Sequence, residues 1–199
     1  MLSCSPTTTV SHTAMTIPHL TQPVRSIGRA LVGATAFAVS VSCLMASSFA
    51  AEPKFLGTHK DWNAFMFEEN GAKVCYMSSQ PKKKEPQAKT RGEVYALVTH
   101  RPAEKTFDVV SFMAGYTYKA GSEVSVAVEK SNFKLFTDGD SAWARDDKTD
   151  KGLVGAMKKG SNMTVKGTSA KGTNTTDTYS LNGLAGAYTA ISEACGVKR

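Results

Sequence analysis

The sequence predicts a mainly β fold: an antiparallel β-sandwich or barrel-like domain with two short helices, one of them near the C-terminus. Beyond residue 50, short alternations of apolar and polar residues are punctuated by Gly, Asp, Asn and Pro, the pattern of half-buried strands joined by tight turns. Apolar residues recur at helical spacing in two short stretches, after Asp150 and after Asn182. The same region holds a single pair of cysteines, Cys75 and Cys195, close to its two ends.

The chain begins with an export signal in form. Residues 1–50 contain no Asp or Glu, and Arg25 and Arg29 precede an uncharged run rich in Ala, Val, Phe, Leu and Met. A basic n-region followed by a hydrophobic h-region is the layout of a secretory signal peptide. Ser48-Phe49-Ala50 places small residues where a signal peptidase reads, so cleavage is expected before Ala51. Met15 is a second candidate start. The rival reading is a membrane anchor, because the apolar run approaches the roughly twenty residues that span a bilayer. Gly33, the scattered Ser and Ala and the small-residue exit suit a signal better, which leaves no transmembrane span after cleavage. Lipidation at Cys43 is a further rival, but Ser40-Val41-Ser42 lacks the Leu that such signals place three residues before the cysteine. The plan is therefore a signal peptide at 1–50, a short lead-in at 51–60, and one β-rich domain at 61–199, about the length of an ordinary domain. Export places the protein in the periplasm, with outer-membrane association or secretion as further destinations.

Taken in chain order, residues 62–67 and 73–77 read as an opening hairpin around Asn70-Gly71, a strong turn dipeptide. The polar, Pro-flanked stretch 78–90, with Lys82-Lys83-Lys84, reads as a solvated loop, and second as a contact for an anionic lipid, glycan or phosphate. Residues 93–100 and 107–113 are apolar at nearly every position, so they are expected to be central strands covered on both faces. Val124, Val126 and Val128 alternate with Ser125 and Glu129, and a return strand at 132–137 turns Phe133 and Leu135 inward. Asp138-Gly139-Asp140 then turns the chain toward 141–145, where Trp143 is expected in the core. The first helix is expected to start with Asp150 as its N-cap, to bury Leu153, Val154 and Met157, and to stop at Gly160. Thr-rich strands follow at 161–166 and 173–181. The second helix is expected to be capped by Asn182, to align Leu184, Tyr188, Ile191 and Cys195 on one face, and to end at Gly196.

Even cysteine counts in an oxidising compartment favour a bridge, here Cys75 to Cys195, which in the chain-entropy model stabilises by roughly 4 to 5 kcal/mol. The alternative is two free buried thiols. No catalytic constellation is expected: His59 and His100 stand far apart, no Gly-x-Ser-x-Gly elbow occurs, and His100 reads as a satisfied strand-edge residue. No metal and no cofactor are expected either. Asp138-Gly139-Asp140 lacks calcium-loop spacing, since Ala142 and Trp143 fall where a ligand and a glycine belong. Gly167 to Thr173 lacks the lysine of a phosphate loop and reads as a hairpin connection. After residue 50 the basic residues remain in excess but are interleaved with acids and not with exposed aromatics, so no nucleic-acid partner is expected.

Three segments carry a resemblance. They are Phe133-Lys134-Leu135-Phe136-Thr137-Asp138-Gly139-Asp140-Ser141-Ala142-Trp143-Ala144, then Leu153-Val154-Gly155-Ala156-Met157-Lys158-Lys159-Gly160, then Val165-Lys166-Gly167-Thr168-Ser169 through Asp177-Thr178-Tyr179-Ser180-Leu181, with the closing Ala194-Cys195. In order and spacing they resemble the invasion-associated locus B family of alphaproteobacteria, with a likeness running from about Asp61 to Cys195. The resemblance implies an exported periplasmic or surface-associated protein, in a family named for host-cell invasion, with no agreed activity and no catalytic residues to carry over. Family members often place a cysteine four residues after the tryptophan, paired with one in the next strand. Here Met66 fills that slot, so the family's disulfide pattern does not transfer directly and Cys195 is left as the partner of Cys75 within the domain.

The leading functional expectation is a non-enzymatic envelope domain that binds an envelope component or a host-surface ligand. A structural accessory to envelope integrity is one alternative. Another is a small periplasmic hydrolase using Asp with His or Lys, which would need convergent titratable groups in a concave pocket. The sequence sets no oligomeric state.

Overall fold

Period-two patterning and turn chemistry shape most of the chain. The computed structural model describes residues 52–87 and 91–198, so the expected signal peptide at 1–50, with Cys43, lies outside the described residues. The strands are β1 (Lys54–His59), β2 (Trp62–Glu69), β3 (Ala72–Ser79), β4 (Lys83–Glu85), β5 (Tyr95–Arg101), β6 (Thr106–Met113), β7 (Glu123–Val128), β8 (Ser131–Asp138), β9 (Ser141–Trp143), β10 (Asn162–Thr168) and β11 (Asn174–Ser180). The helices are α1 (Asp147–Met157) and α2 (Leu184–Ala194).

Among the described residues the strands form one antiparallel sheet in the order β1-β2-β3-β5-β6-β9-β8-β7-β10-β11-β4. It remains open, with β1 and β4 as its edges, but its ends meet. Trp62 Nε1–H donates to Ser180 O at 3.1 Å and Asp61 N–H donates to Asn182 O at 3.2 Å, so the sheet coils into a barrel-like shell without closing. The concave face holds the core, where Trp62, Met77, Phe112, Leu135, Met163 and Tyr179 are almost fully buried. Each large apolar side chain buried in this way contributes about 1.5 to 3 kcal/mol. Helix α1 packs on β6 and β8, and α2 packs on β1, β2 and β3. No helix among the described residues is long and apolar enough to cross a membrane.

Several expectations are corrected. Trp143 is 36 % exposed, because in the three-residue strand β9 the pleat turns Ala142 inward and sends Trp143 out opposite Ser111 and Phe136. The cap of α1 is Asp146, which accepts the Thr149 N–H at 2.7 Å, and Asp150 sits buried one turn inside. Gly183 caps α2 in place of Asn182: its φ is +91°, and a Cβ there would lie 1.9 Å from His59 O. Strand β5 is not covered on both faces, since Ala96, Val98 and His100 are buried while Tyr95, Leu97 and Thr99 are half-buried. His100 is no edge residue but fully buried beneath α2. Lys83–Glu85, expected in a loop, pairs with Thr176–Thr178 as an edge strand. Lys54–His59, expected in a lead-in, is the other edge. The opening hairpin turns at Asn70 and Gly71, both at positive φ, as its sequence requires.

Cys75 and Cys195 form a disulfide with Cα atoms 6.0 Å apart across 120 residues, tying α2 to β3. Replacing both cysteines with serine is expected to lower unfolding free energy by roughly 3 to 5 kcal/mol. Urea unfolding checks this, and reduced wild-type protein should fall close to the variant.

Asp150 accepts the Val110 N–H at 2.9 Å, and burial pushes its carboxyl up to about 6, with the negative charges of Asp147 and Asp108 adding to the shift. A raised acid binds its proton more tightly when folded, so this group's stabilisation is complete below the ordinary carboxylate range and is lost as pH rises toward 6. Asp150→Asn keeps the acceptor and removes the titration. Relative to wild type the variant is expected to gain stability between about pH 4 and pH 6, reaching roughly 2 to 3 kcal/mol. Unfolding measured at pH 4, 5, 6 and 7 reads the difference directly.

Candidate functional site

The concave face carries polar residues in two places. One lies under α2. Parity along β5 sends His100 inward, and helical spacing places Ser192 with Tyr188, Ile191 and Cys195 on the buried face of α2. His100 Nε2 and Ser192 Oγ are 3.3 Å apart, the Asp108 N–H donates to His100 Nδ1 at 3.2 Å, and the Tyr188 hydroxyl donates to Asp108 Oδ1 at 2.8 Å. The set has the composition of a nucleophilic triad. Nδ1 faces the Asp108 backbone N–H, which leaves Nε2 toward the Ser192 hydroxyl. Asp108 lies 3.9 Å from Nδ1, and His100, Asp108 and Ser192 are all buried. The network docks a helix.

The other place is open. At one end of the shell, Arg91 enters just before β5, Tyr116 and Tyr118 follow β6, and Thr175, Asp177 and Tyr179 occupy the inward parity of β11. Arg91 donates through Nη1 and Nη2 to the two oxygens of Asp177 at 2.7 and 2.6 Å, and through Nε to Ala114 O at 2.8 Å. Its guanidinium stands over the Tyr116 ring, 5.1 Å from the centroid. Burial works against the Arg91 charge, yet the hydrogen bonds and charge of Asp177 outweigh it and raise the pKa of the guanidinium. Burial likewise pushes the Tyr116, Tyr118 and Tyr179 hydroxyls up, keeping them protonated donors. Tyr116 Oη and Thr175 Oγ1 share a hydrogen bond of 2.6 Å. Gly167 leaves the room these rings need, since a Cβ there would approach the Tyr118 ring to 2.6 Å.

Above this floor runs a groove of two lobes. One, about 330 Å³, is lined by Tyr116, Thr117, Ser169, Lys171, Thr173 and Thr175. The other, about 420 Å³, is lined by Pro81, Lys82, Lys83, Lys84 and Gln87. Pro86 and Arg91 belong to both.

The residues weighed from sequence fall elsewhere or into the groove. His59 packs against Gly183 and Gly186, far in topology from His100 on β5, and among the described residues no three His, Cys, Asp or Glu side chains converge as metal ligands. Asp138 and Asp140 flank a turn, and Asp146 and Asp150 serve α1. Lys82-Lys83-Lys84 does line the groove. Arg91, Tyr116, Lys171 and Asp177 were not singled out. Period two along β11 would have turned Asp177 inward with Thr175 and Tyr179, and a buried acid demands a cation, but nothing local names Arg91.

Residues 62–192 match the family model described as invasion associated locus B (IalB) protein. The chain belongs to the IalB family. No curated protein matches the chain. The crystal structure of invasion associated protein B from Bartonella henselae is similar, with a TM-score of 0.52 and 18 % identity over 72 % of this chain and 97 % of that one. At that identity the likeness is one of fold, and it agrees with the β-rich IalB architecture seen here.

The Arg91–Asp177 pair should behave as a buried ion pair. Arg91→Met alone, which leaves Asp177 uncompensated, is expected to cost about 3 to 5 kcal/mol, and adding Asp177→Leu to recover most of it. Denaturant unfolding of both variants checks the pattern.

Proposed function

We propose that this IalB protein is an exported envelope protein that acts by binding rather than catalysis, and that the two-lobed groove is its binding site. The observation that carries this reading is a contrast. The groove presents cations, hydroxyls and an aromatic ring on a fixed floor, and its described lining residues include no histidine or carboxylate. The Ser192, His100 and Asp108 set lies buried beneath α2, away from the groove lining. A concave site with a few convergent polar groups is the usual form of a ligand site. Export is supported by the basic and apolar leader in the sequence and by the disulfide, which suits an oxidising compartment. An envelope component is the partner this reading assigns.

Detergent-solubilised envelope passed over the immobilised protein tests it. Specific material is expected to be retained, to be displaced by excess free protein, and to be lost with Lys84→Glu combined with Lys171→Glu. Retention of nothing across a range of salt, or equal retention by that variant, contradicts the reading.

A further inference from the structure

We infer that the groove recognises a sugar carrying a phosphate group, the anion lying where the lobes join at Pro86 and Arg91 and the ring in the hydroxyl-lined lobe. The inference rests on the binding reading above and goes on to name the ligand chemistry.

The charge distribution is the first argument. Among the described residues five cations, Lys82, Lys83, Lys84, Arg91 and Lys171, line the two lobes, and no carboxylate does. Three of them are already answered: Lys82 by Asp61 at 2.5 Å, Lys83 by Glu85 at 2.8 Å, and Arg91 by Asp177. Lys84 and Lys171 have no carboxylate partner among the described residues. Lys84 lies directly opposite Asp177 in the β4–β11 pairing, and opposed residues in an antiparallel pair project from the same face. Its ammonium therefore leaves the strand on the side where Arg91 and the groove floor lie. Two unanswered ammonium groups, Lys84 in one lobe and Lys171 in the other, flank the Arg91 floor shared by both, whose own charges cancel, and this makes a site for an anion at the junction; lysine as a compact point charge suits phosphate.

The second lobe supplies the rest of the ligand. Thr117, Ser169 and Thr173 bring hydroxyls, and Pro86, Tyr116 and Ala170 bring apolar surface. Hydroxyls beside an apolar wall match a pyranose ring, which presents hydroxyl groups at its edge and C–H groups on its face. Pro86 and Arg91 join the lobes, so one ligand can occupy both. Such sugars occur as glycolipid headgroups and as free sugar phosphates, and the chemistry recognised is the same.

Titrations of the purified protein with glucose 1-phosphate, inorganic phosphate and glucose, followed by amide chemical shifts, test the inference. Glucose 1-phosphate is expected to bind at least ten times more tightly than either fragment, and Lys84→Glu and Lys171→Glu each to weaken it by roughly tenfold. Lys130→Glu, on the turn between β7 and β8, should leave it unchanged. Phosphatidylcholine vesicles with and without lipopolysaccharide identify the source. Binding to the lipopolysaccharide vesicles that glucose 1-phosphate displaces supports a headgroup, and binding of the soluble sugar alone supports a free ligand. Equal affinity for phosphate and glucose 1-phosphate, or indifference to both lysine variants, overturns the inference. If groove-dependent retention of envelope material persists without sugar phosphate binding, this inference fails and the binding reading stands. If both are lost, the binding reading fails as well.

Discussion

The buried ion pair of Arg91 with Asp177 is the constraint on which the open end of the shell depends. Removing two charges from water is expensive, and the expense is offset here by bidentate geometry, by the third hydrogen bond to Ala114 O and by the Tyr116 ring beneath the guanidinium. Through those contacts one side chain holds β11, the end of β6 and the segment entering β5 in a single arrangement. The groove inherits that rigidity. Arg91 belongs to both lobes, so whatever binds there meets a floor ordered before the ligand arrives, which spares part of the entropy cost of binding.

Helix α2 organises a second polar interface with the sheet. Its buried face carries Tyr188, Ile191 and Ser192, and each polar atom on it finds a partner on the sheet: Tyr188 on Asp108, Ser192 on His100. The disulfide from Cys195 to Cys75 closes the same interface. Lys158, just past α1, holds its Nζ over the Tyr188 ring at 3.3 Å from the centroid, linking the two helices. A histidine, a serine and an aspartate can thus meet in a core for structural reasons.

Much of this architecture was legible in the sequence, for local reasons. Asn70-Gly71 specified its turn because few residues accept positive φ at two successive positions. Val124, Val126 and Val128 wrote their own inward face, and so did Leu184, Tyr188 and Ile191. The misreadings came where a non-local neighbour decides. Trp143 looks like a core residue by size, but the register of β9 against β6 and β8 gives the inside to Ala142. Asp146, Asp147 and Asp150 are all capable caps, and the position of the helix on β6 selected the first and buried the last. The groove was the hardest part to foresee. The lysine cluster was visible, but Arg91 and Asp177 are 86 residues apart, and strand β4 exists only because β11 offers it an edge.

Hydrogen exchange, measured with and without solubilised envelope, tests most directly whether this floor is the place where the protein meets its partner. Slowed exchange confined to 82–87, 114–118 and 168–175 is the result the account predicts. Protection confined instead to the outer aromatic face, where Phe55, Phe65 and Tyr76 lie side by side, with the groove amides unchanged, would contradict it.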